Sequence, residues 1–564
     1  MLPVPAGDDA CTLRGGPEGL RLHVEGALPG MRKDGLRAAL VTWGKDPLGL
    51  IECSVAYLAA ELKSFRLRTQ KPSPRFSDYL GWCTWNAFMF SVDEAKIMAG
   101  LRSFARGGVP LGFLLIDDGW FDAEGLYYLR SMSEKQEKFP GGLAGLVRAA
   151  RDKFGVRQVG VWHALAGYWG GVQPSGPIGK EHRLVHNRAN VRPWDKTGPA
   201  RVHLIHPDEA ARFYHVFYRW LRGAGISMVK VDAQGWLEYF TEGKLGRVGT
   251  MRAYQEAMQG AAAVHMAGEV VHCMSNGSDV AYHMAATSGW RNSIDYLPHE
   301  GAEVQQRHVY LNAYNALWSS QFAQPDWDMF QSHGPMPLYH AVARAISGGP
   351  VYVTDLPGKQ DFALLRRLCT SDGRSLRCQE PALPSDDCIF ADPMAEPVPL
   401  KAVNRHLGIG VLGAFHCCPG ERPARGAFRP ADVRGIRPAR RYAVLDQLSG
   451  TVRTATPRGR IKLELAPRSC ALYTISPVEG GVAPLGLLDK LNGAAAIEQW
   501  GTDSAGCMTC TLRDGGRVGF YCERRPAQVR VNGRRVRGRY DQTSGLLVLR
   551  APLGRACAVT VEMP

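Results

Sequence analysis

An α/β architecture, a (β/α)8 TIM barrel followed by a C-terminal antiparallel β-sandwich with a short N-terminal remnant ahead of it, is predicted by three features of the chain. Eight short β-rich runs lie between residues 79 and 355, and helical periods separate them. After about Leu383 the helical period gives way to short alternating runs. At 564 residues the chain exceeds what one hydrophobic core organises. Three units are therefore expected: 1–75, 76–383 and 384–564.

In the first unit, residues 20–24 read as a strand and 47–62 as an amphipathic helix packing on the second unit. The eight barrel runs are GWCTW (81–85), FLLIDDGW (113–120), QVGVWHAL (158–165), MVKVD (228–232), VVHCMSN (270–276), GWRNSID (289–295), FAQPDWD (322–328) and PVYVTD (350–355). Between them, residues 92–104, 209–223, 252–263, 309–319 and 337–346 carry apolar side chains at three- and four-residue spacing, as helices covering a barrel require. In the last unit, 411–415, 441–445, 462–465, 471–475, 517–521, 528–531 and 545–549 alternate as strands, and Asn532-Gly533 marks a turn.

The composition, 45% hydrophobic and 21% charged, is that of a folded globular chain. Lys and Arg exceed Asp and Glu by 68 to 53, a formal charge of +15. The arginines are dispersed, with no nucleic-acid module or basic helix, so no nucleic-acid partner is expected. No stretch approaches the roughly 20 apolar residues of a membrane span, so no membrane partner is expected. Fourteen cysteines in this length do not form a disulfide scaffold, and no secretory leader is recognisable; the reading is cytoplasmic. Cys507-x-x-Cys510 and His416-Cys417-Cys418 lack a second pair at zinc spacing, and no P-loop or dinucleotide turn is present. Neither metal nor cofactor is expected.

Barrel enzymes place their chemistry at the C-terminal ends of the strands, and this chain gathers acids and tryptophans there. Trp82 and Trp85, Asp117 and Asp118 with Trp120, Trp162 with His163, Tyr168 and Trp169, Lys230 and Asp232, Cys273, Arg291 and Asp295, and Asp326 to Asp328 all fall on strand tips. Carboxylates accept hydroxyl hydrogen bonds and indoles cover the apolar faces of sugar rings, so the set suits a carbohydrate. Lys230 and Asp232 alternate to one side of their strand, where the ammonium is expected to hold Asp232 ionised as a nucleophile. Asp295, four residues past Arg291, is the candidate proton donor. His163 reads as a core residue lining the pocket. Tyr168, Trp169 and Trp194 are candidates to stack an acceptor or leaving group.

GWCTW, IDDGW (116–120), WHALAGYWGG (162–171), VKVD (229–232), QPDWDMF (324–330), AISGGP (345–350) and LRC (376–378) resemble the raffinose synthase and alkaline α-galactosidase (seed imbibition protein) group of glycoside hydrolase family 36. The resemblance runs from about residue 46 to the end. It implies retaining chemistry on a terminal α-galactosyl unit, with Asp232 as nucleophile and Asp295 as acid/base. Asp117, Asp118, Lys230 and Arg291 would bind galactose hydroxyls, and Trp82, Trp162, Cys273 and Trp318 would line the pocket. The implied reaction is transfer from galactinol to sucrose. A hydrolytic α-galactosidase and a silent carbohydrate-binding protein are the alternatives.

Two motifs depart from the group. Trp85-Asn86-Ala87-Phe88 stands for W-D-A-F, and Arg291-Asn292-Ser293-Ile294-Asp295-Tyr296 stands for R-x-S-D-D-F, so that Ile294 removes one acid near the site. The large N-terminal β-domain usual in the group is almost absent, which leaves the oligomeric state unknown.

Overall fold

The computed structural model describes residues 1–5, 9–26, 28–30, 32, 34–189, 200–503 and 506–564. At its centre are eight strands: β1 (Leu80–Cys83), β2 (Phe113–Ile116), β3 (Gln158–Ala164), β4 (Met228–Asp232), β5 (Val270–His272), β6 (Gly289–Arg291), β7 (Gln324–Asp326) and β8 (Val351–Val353). Neighbours pair in parallel in that order, and β8 returns to β1 with Val351 opposite Leu80 and Val353 opposite Trp82. A parallel bridge between Phe330 and Val353 closes the ring beside β7. All eight runs expected from the sequence are barrel strands. They were legible because strands covered on both faces are apolar throughout.

Helices lie between the strands: α1 (Pro47–Leu62) ahead of the barrel, then α2 (Glu94–Arg106), α3 (Gly142–Phe154), α4 (Ala210–Gly223), α5 (Arg247–Met266), α6 (Ala302–Phe322), α7 (Pro337–Ser347) and α8 (Phe362–Arg366). Between β5 and β6 there is one turn, Ser278–Ala281. The local causes are plain in α2. Asp93 caps it by accepting from the Lys96 N–H at 2.8 Å, and Ile97, Leu101 and Phe104 form one buried stripe. Helices α5 and α6 extend beyond the ranges expected from apolar spacing. In α6 the residues added at its start include buried polar ones, with Gln305 donating to Leu297 O at 2.8 Å and Gln306 to His416 O at 3.0 Å, which hydropathy does not signal.

Two-residue alternation divides the strand side chains. Cys83, Phe113, Leu115, Met228, Val271 and Tyr352 turn inward and pack with Phe76 and Met329 as the barrel filling. Leu80, Trp82, Leu114, Ile116, Val159, Val161, Val229 and Val353 face the helices.

The N-terminal unit is a hairpin, Asp9–Gly16 with Gly19–Gly26, and α1. It is braced on the barrel by Phe65, whose ring lies 5.5 Å from Tyr282 and 5.0 Å from Phe322. The antiparallel strands expected after Leu383 form four sheets. A six-stranded sheet and the pair Ala424–Phe428/Ile461–Leu465 share a core of Leu412, Phe428, Val444, Leu463 and Ile475. A four-stranded and a five-stranded sheet share another around Leu512, Val518, Phe520, Leu547 and Val559. Asn532 and Gly533 both take positive φ, +50° and +77°, as a tight hairpin turn between Gln528–Val531 and Arg534–Arg535 demands. Among the described residues no helix is long and apolar enough to cross a membrane.

Candidate active site

Alternation carries the inward row of each strand up to a polar layer at the C-terminal end of the barrel. Asp117 follows β2, Trp162 sits on β3, Lys230 and Asp232 on β4, Cys273 follows β5, Arg291 sits on β6 and Asp326 on β7. The backbone is strained at the same end. Ala233, Met274 and Asp328, each just past a strand, take left-handed φ of +55°, +45° and +67°. Non-glycine residues adopt that region at a cost that surrounding structure must offset, and such positions gather at functional sites.

The Asp232 carboxylate is buried and oriented by two donors, the Trp162 indole N–H at 2.9 Å and the Ala233 backbone N–H at 2.7 Å. The Lys230 ammonium does not pair with Asp232, as expected from the sequence, but with Asp117 at 2.8 Å, both side chains being almost fully buried. Burial disfavours the charged amine, yet Asp117 and the lesser fields of Cys273, Cys83 and Asp232 hold it protonated, well above its ordinary range. Asp117 also accepts from the Cys83 thiol at 3.3 Å and the Asp118 N–H at 2.9 Å.

Asp118 is buried, with one oxygen taken by the Trp169 indole N–H at 3.0 Å. Burial pushes its carboxyl up to about 7, against the Trp169 hydrogen bond and with the help of Asp117. Gly119, next in the chain, has φ +103°, and a Cβ there would lie 2.7 Å from Phe90 O, so the D-D-G-W turn accepts only glycine. A carboxyl raised on folding stabilises the fold fully below its unfolded value, and the contribution is lost as pH rises through about 7. Asp118→Asn is therefore expected to raise the melting temperature of the unliganded protein relative to wild type at pH 8 more than at pH 5. Thermal melts at the two pH values check it; an equal difference at both would contradict the assignment.

On the far wall, Arg291 is a buried clamp. Its guanidinium donates to Asp295, to Asp328 at 2.8 Å and to Ser293 O at 3.0 Å. Asp295 is 47% exposed whereas Asp328 is fully buried. Cys273 lies between the two walls. Burial pushes its thiol well up, Arg291 and Lys230 oppose, and the fields of Asp232 and Asp295 both add, so both carboxyl groups lie within electrostatic reach of one thiol.

The structure thus brings together Asp117, Asp118, Trp162, Lys230, Asp232, Cys273, Arg291 and Asp295. Two expected residues lie elsewhere. Trp82 points out of the barrel against α2, where a Cβ on Gly100 would lie 2.0 Å from its ring, and its indole N–H donates to Asp355 O at 3.0 Å. Trp318 sits near the C-terminal end of α6, the end that leads into the start of β7, with its ring tilted against Phe322 at 4.7 Å and edge-on to Tyr282 at 5.9 Å. It lines the outer layer at the opposite end from the carboxylates. His163 also faces outward, 2.8 Å from the Tyr218 hydroxyl. Trp194 lies outside the described residues. Asp328 was visible only as an acid in QPDWD; its two-residue spacing from the buried Asp326 was the signal that both serve one wall.

A family model described as raffinose synthase or seed imbibition protein Sip1 matches residues 22–126, 126–425 and 434–551. A probable galactinol–sucrose galactosyltransferase 6 of Arabidopsis thaliana is 33% identical over 89% of this chain and 75% of its own length. A galactinol–sucrose galactosyltransferase of Oryza sativa subsp. japonica is 32% identical over 98% of this chain and 80% of its own length. Among solved structures, a GH27 β-L-arabinopyranosidase of Geobacillus stearothermophilus shares the fold with a TM-score of 0.52 at 12% identity, covering 72% of this chain and 97% of that one. With the barrel, its acidic end and nearly the whole length matched, the chain belongs to the raffinose synthase or seed imbibition protein family.

Proposed function

We propose that the protein transfers an α-galactosyl unit from galactinol to sucrose by double displacement. Asp232 attacks the anomeric carbon and forms a β-linked galactosyl ester while Asp295 gives its proton to the departing oxygen. Asp295 then takes the proton of the acceptor hydroxyl, whose oxygen attacks the same carbon and releases Asp232, so the α configuration is retained. Asp117, Asp118, Lys230 and Arg291 would hold the galactose hydroxyls, with Trp162 and Cys273 lining the ring.

The observation that carries this reading is the contrast between the two acids, Asp232 on the strand to one side of Cys273 and Asp295 held by Arg291 from the strand on the other. Asp232 is fixed by two N–H donors and closed off from solvent, as a nucleophile requires, whereas Asp295 is half open, as a proton shuttle serving two leaving and entering groups requires. The names of the plant relatives support galactinol as donor and sucrose as acceptor. In this reading residues 76–383 carry the chemistry, 1–75 brace it and 384–564 form an accessory β region. A cytoplasmic location belongs to the same reading and is supported by the cysteines, most of them buried and, among the described residues, none of them in a disulfide.

Product identity tests the proposal. Galactinol with sucrose is expected to give raffinose and inositol, and raffinose with water little free galactose. Rapid galactose release in both mixtures would make the protein a hydrolase, and no turnover in either would overturn the reading.

A further inference from the structure

Arg291 faces two carboxylates from one buried position, and the second of them has no role in the displacement described above. Asp328 lies beyond β7 in a left-handed conformation at φ +67°, with its side chain fully buried. One oxygen accepts from Arg291 at 2.8 Å and the other from the Tyr296 N–H at 2.7 Å. Its own carbonyl accepts from the Arg344 Nε–H at 3.0 Å, which pins the strained backbone. A carboxylate this deep costs free energy unless a cation and N–H donors compensate it. Among the described residues Arg291 is the cation its carboxylate touches, because His308, 3.7 Å away, is pushed by burial down to about 4 and stays neutral. Burial opposes the charge of Asp328, but Arg291 above all holds it firmly ionised. Asp326, its neighbour, goes the other way. Burial and Asp328 push it up to about 7, and it accepts from the Tyr352 hydroxyl at 2.8 Å.

The consequence concerns Asp295. A guanidinium facing Asp295 alone would bind its carboxylate form and hold the proton off. A guanidinium already neutralised by a second, permanently ionised carboxylate can hold Asp295 in place through either protonation state. We propose that Asp328 is a positioning residue for the galactosyl transfer, taking up the charge of Arg291 so that Arg291 aims Asp295 without preventing it from carrying a proton. This rests on the reading of Asp295 as acid/base. The groups that set the balance are Asp295 and Cys273 on the open side of Arg291, Asp328 and Tyr352 behind it, and Asp326, His308, Lys230, His340 and Arg344 around Asp328.

Asp328→Asn removes the second negative charge and keeps the shape. The test compares a dinitrophenyl α-galactoside, whose phenolate leaves unaided, with galactinol, whose alkoxide needs a proton. Asp328→Asn is expected to lower kcat/KM about 100-fold for galactinol, the low end for loss of acid assistance, and far less for the aryl donor. The alkaline limb of its pH profile is expected to move to lower pH, because Arg291 then favours the Asp295 carboxylate. Equal losses on both donors with an unmoved profile would mean that Asp328 only supports the fold, and would overturn the proposal. If Asp328→Asn does not fold, Tyr352→Phe perturbs the same network and is expected to shift the donor ratio in the same direction; an unchanged ratio would overturn the proposal. Asp295→Ala run in parallel separates the two readings. Donor dependence in Asp295→Ala without any in the network variants refutes the role of Asp328 alone, whereas no donor dependence in Asp295→Ala refutes the acid/base assignment beneath it.

Discussion

Asp232→Ala is expected to lower turnover of an aryl α-galactoside by at least about four orders of magnitude, the scale of loss when a covalent nucleophile is removed. The geometry explains why no neighbour substitutes. Asp117 is anchored by Lys230 and Cys83, and Asp118 by Trp169, so each carboxylate is held at its own place and neither takes up the position of Asp232. The Trp162 N–H and the Ala233 N–H would face the emptied space. Azide is small enough to enter it, and its attack from the face that Asp232 occupied is expected to restore turnover and give the β-galactosyl azide. Wild-type rates in the variant, or azide rescue giving the α-azide, would contradict the role of Asp232.

The second large effect concerns Asp295 and depends on the donor. With galactinol, Asp295→Ala is expected to cost about 10²- to 10⁴-fold in kcat/KM, the usual contribution of a positioned general acid. With a dinitrophenyl donor the first step needs no proton, so the galactosyl ester forms and accumulates, visible as a burst of phenolate followed by slow turnover. The half-exposed position of Asp295 allows this substitution without the penalty of an emptied core, although Arg291 then keeps Asp328 as its carboxylate partner. Equal losses on the two donors would contradict an acid/base role.

The barrel was legible because each strand is a short apolar run ending in polar side chains, and because the acids at those ends fall on the inward row. Asp117, Lys230, Asp232, Cys273 and Arg291 all lie at the layer that the two-residue period predicts. The tryptophans were harder. Trp162 and Trp82 look alike in the sequence, both large and both on a strand, but the inward row of β1 is Gly81 and Cys83, which turns Trp82 to the helices. Trp318 sits on a helix that runs back toward the starts of the strands, so its distance from the site comes from chain direction rather than from residue type.

Pairing was not legible at all. That Lys230 chooses Asp117 on a neighbouring wall over Asp232 on its own strand, and that Arg291 is shared between Asp295 and Asp328, are properties of the closed ring. The same holds for the buried Gln306 of α6, whose partner, His416 O, lies 110 residues further along the chain.

The most direct measurement is to trap the intermediate. Incubation with a fluorinated galactosyl fluoride that forms the ester quickly and releases it slowly, then proteolysis and mass analysis, is expected to place one sugar on the peptide that carries Asp232. Attachment to a peptide carrying Asp117, Asp118 or Asp295 instead, or steady turnover of a galactoside with no labelled peptide, would contradict a covalent displacement at Asp232.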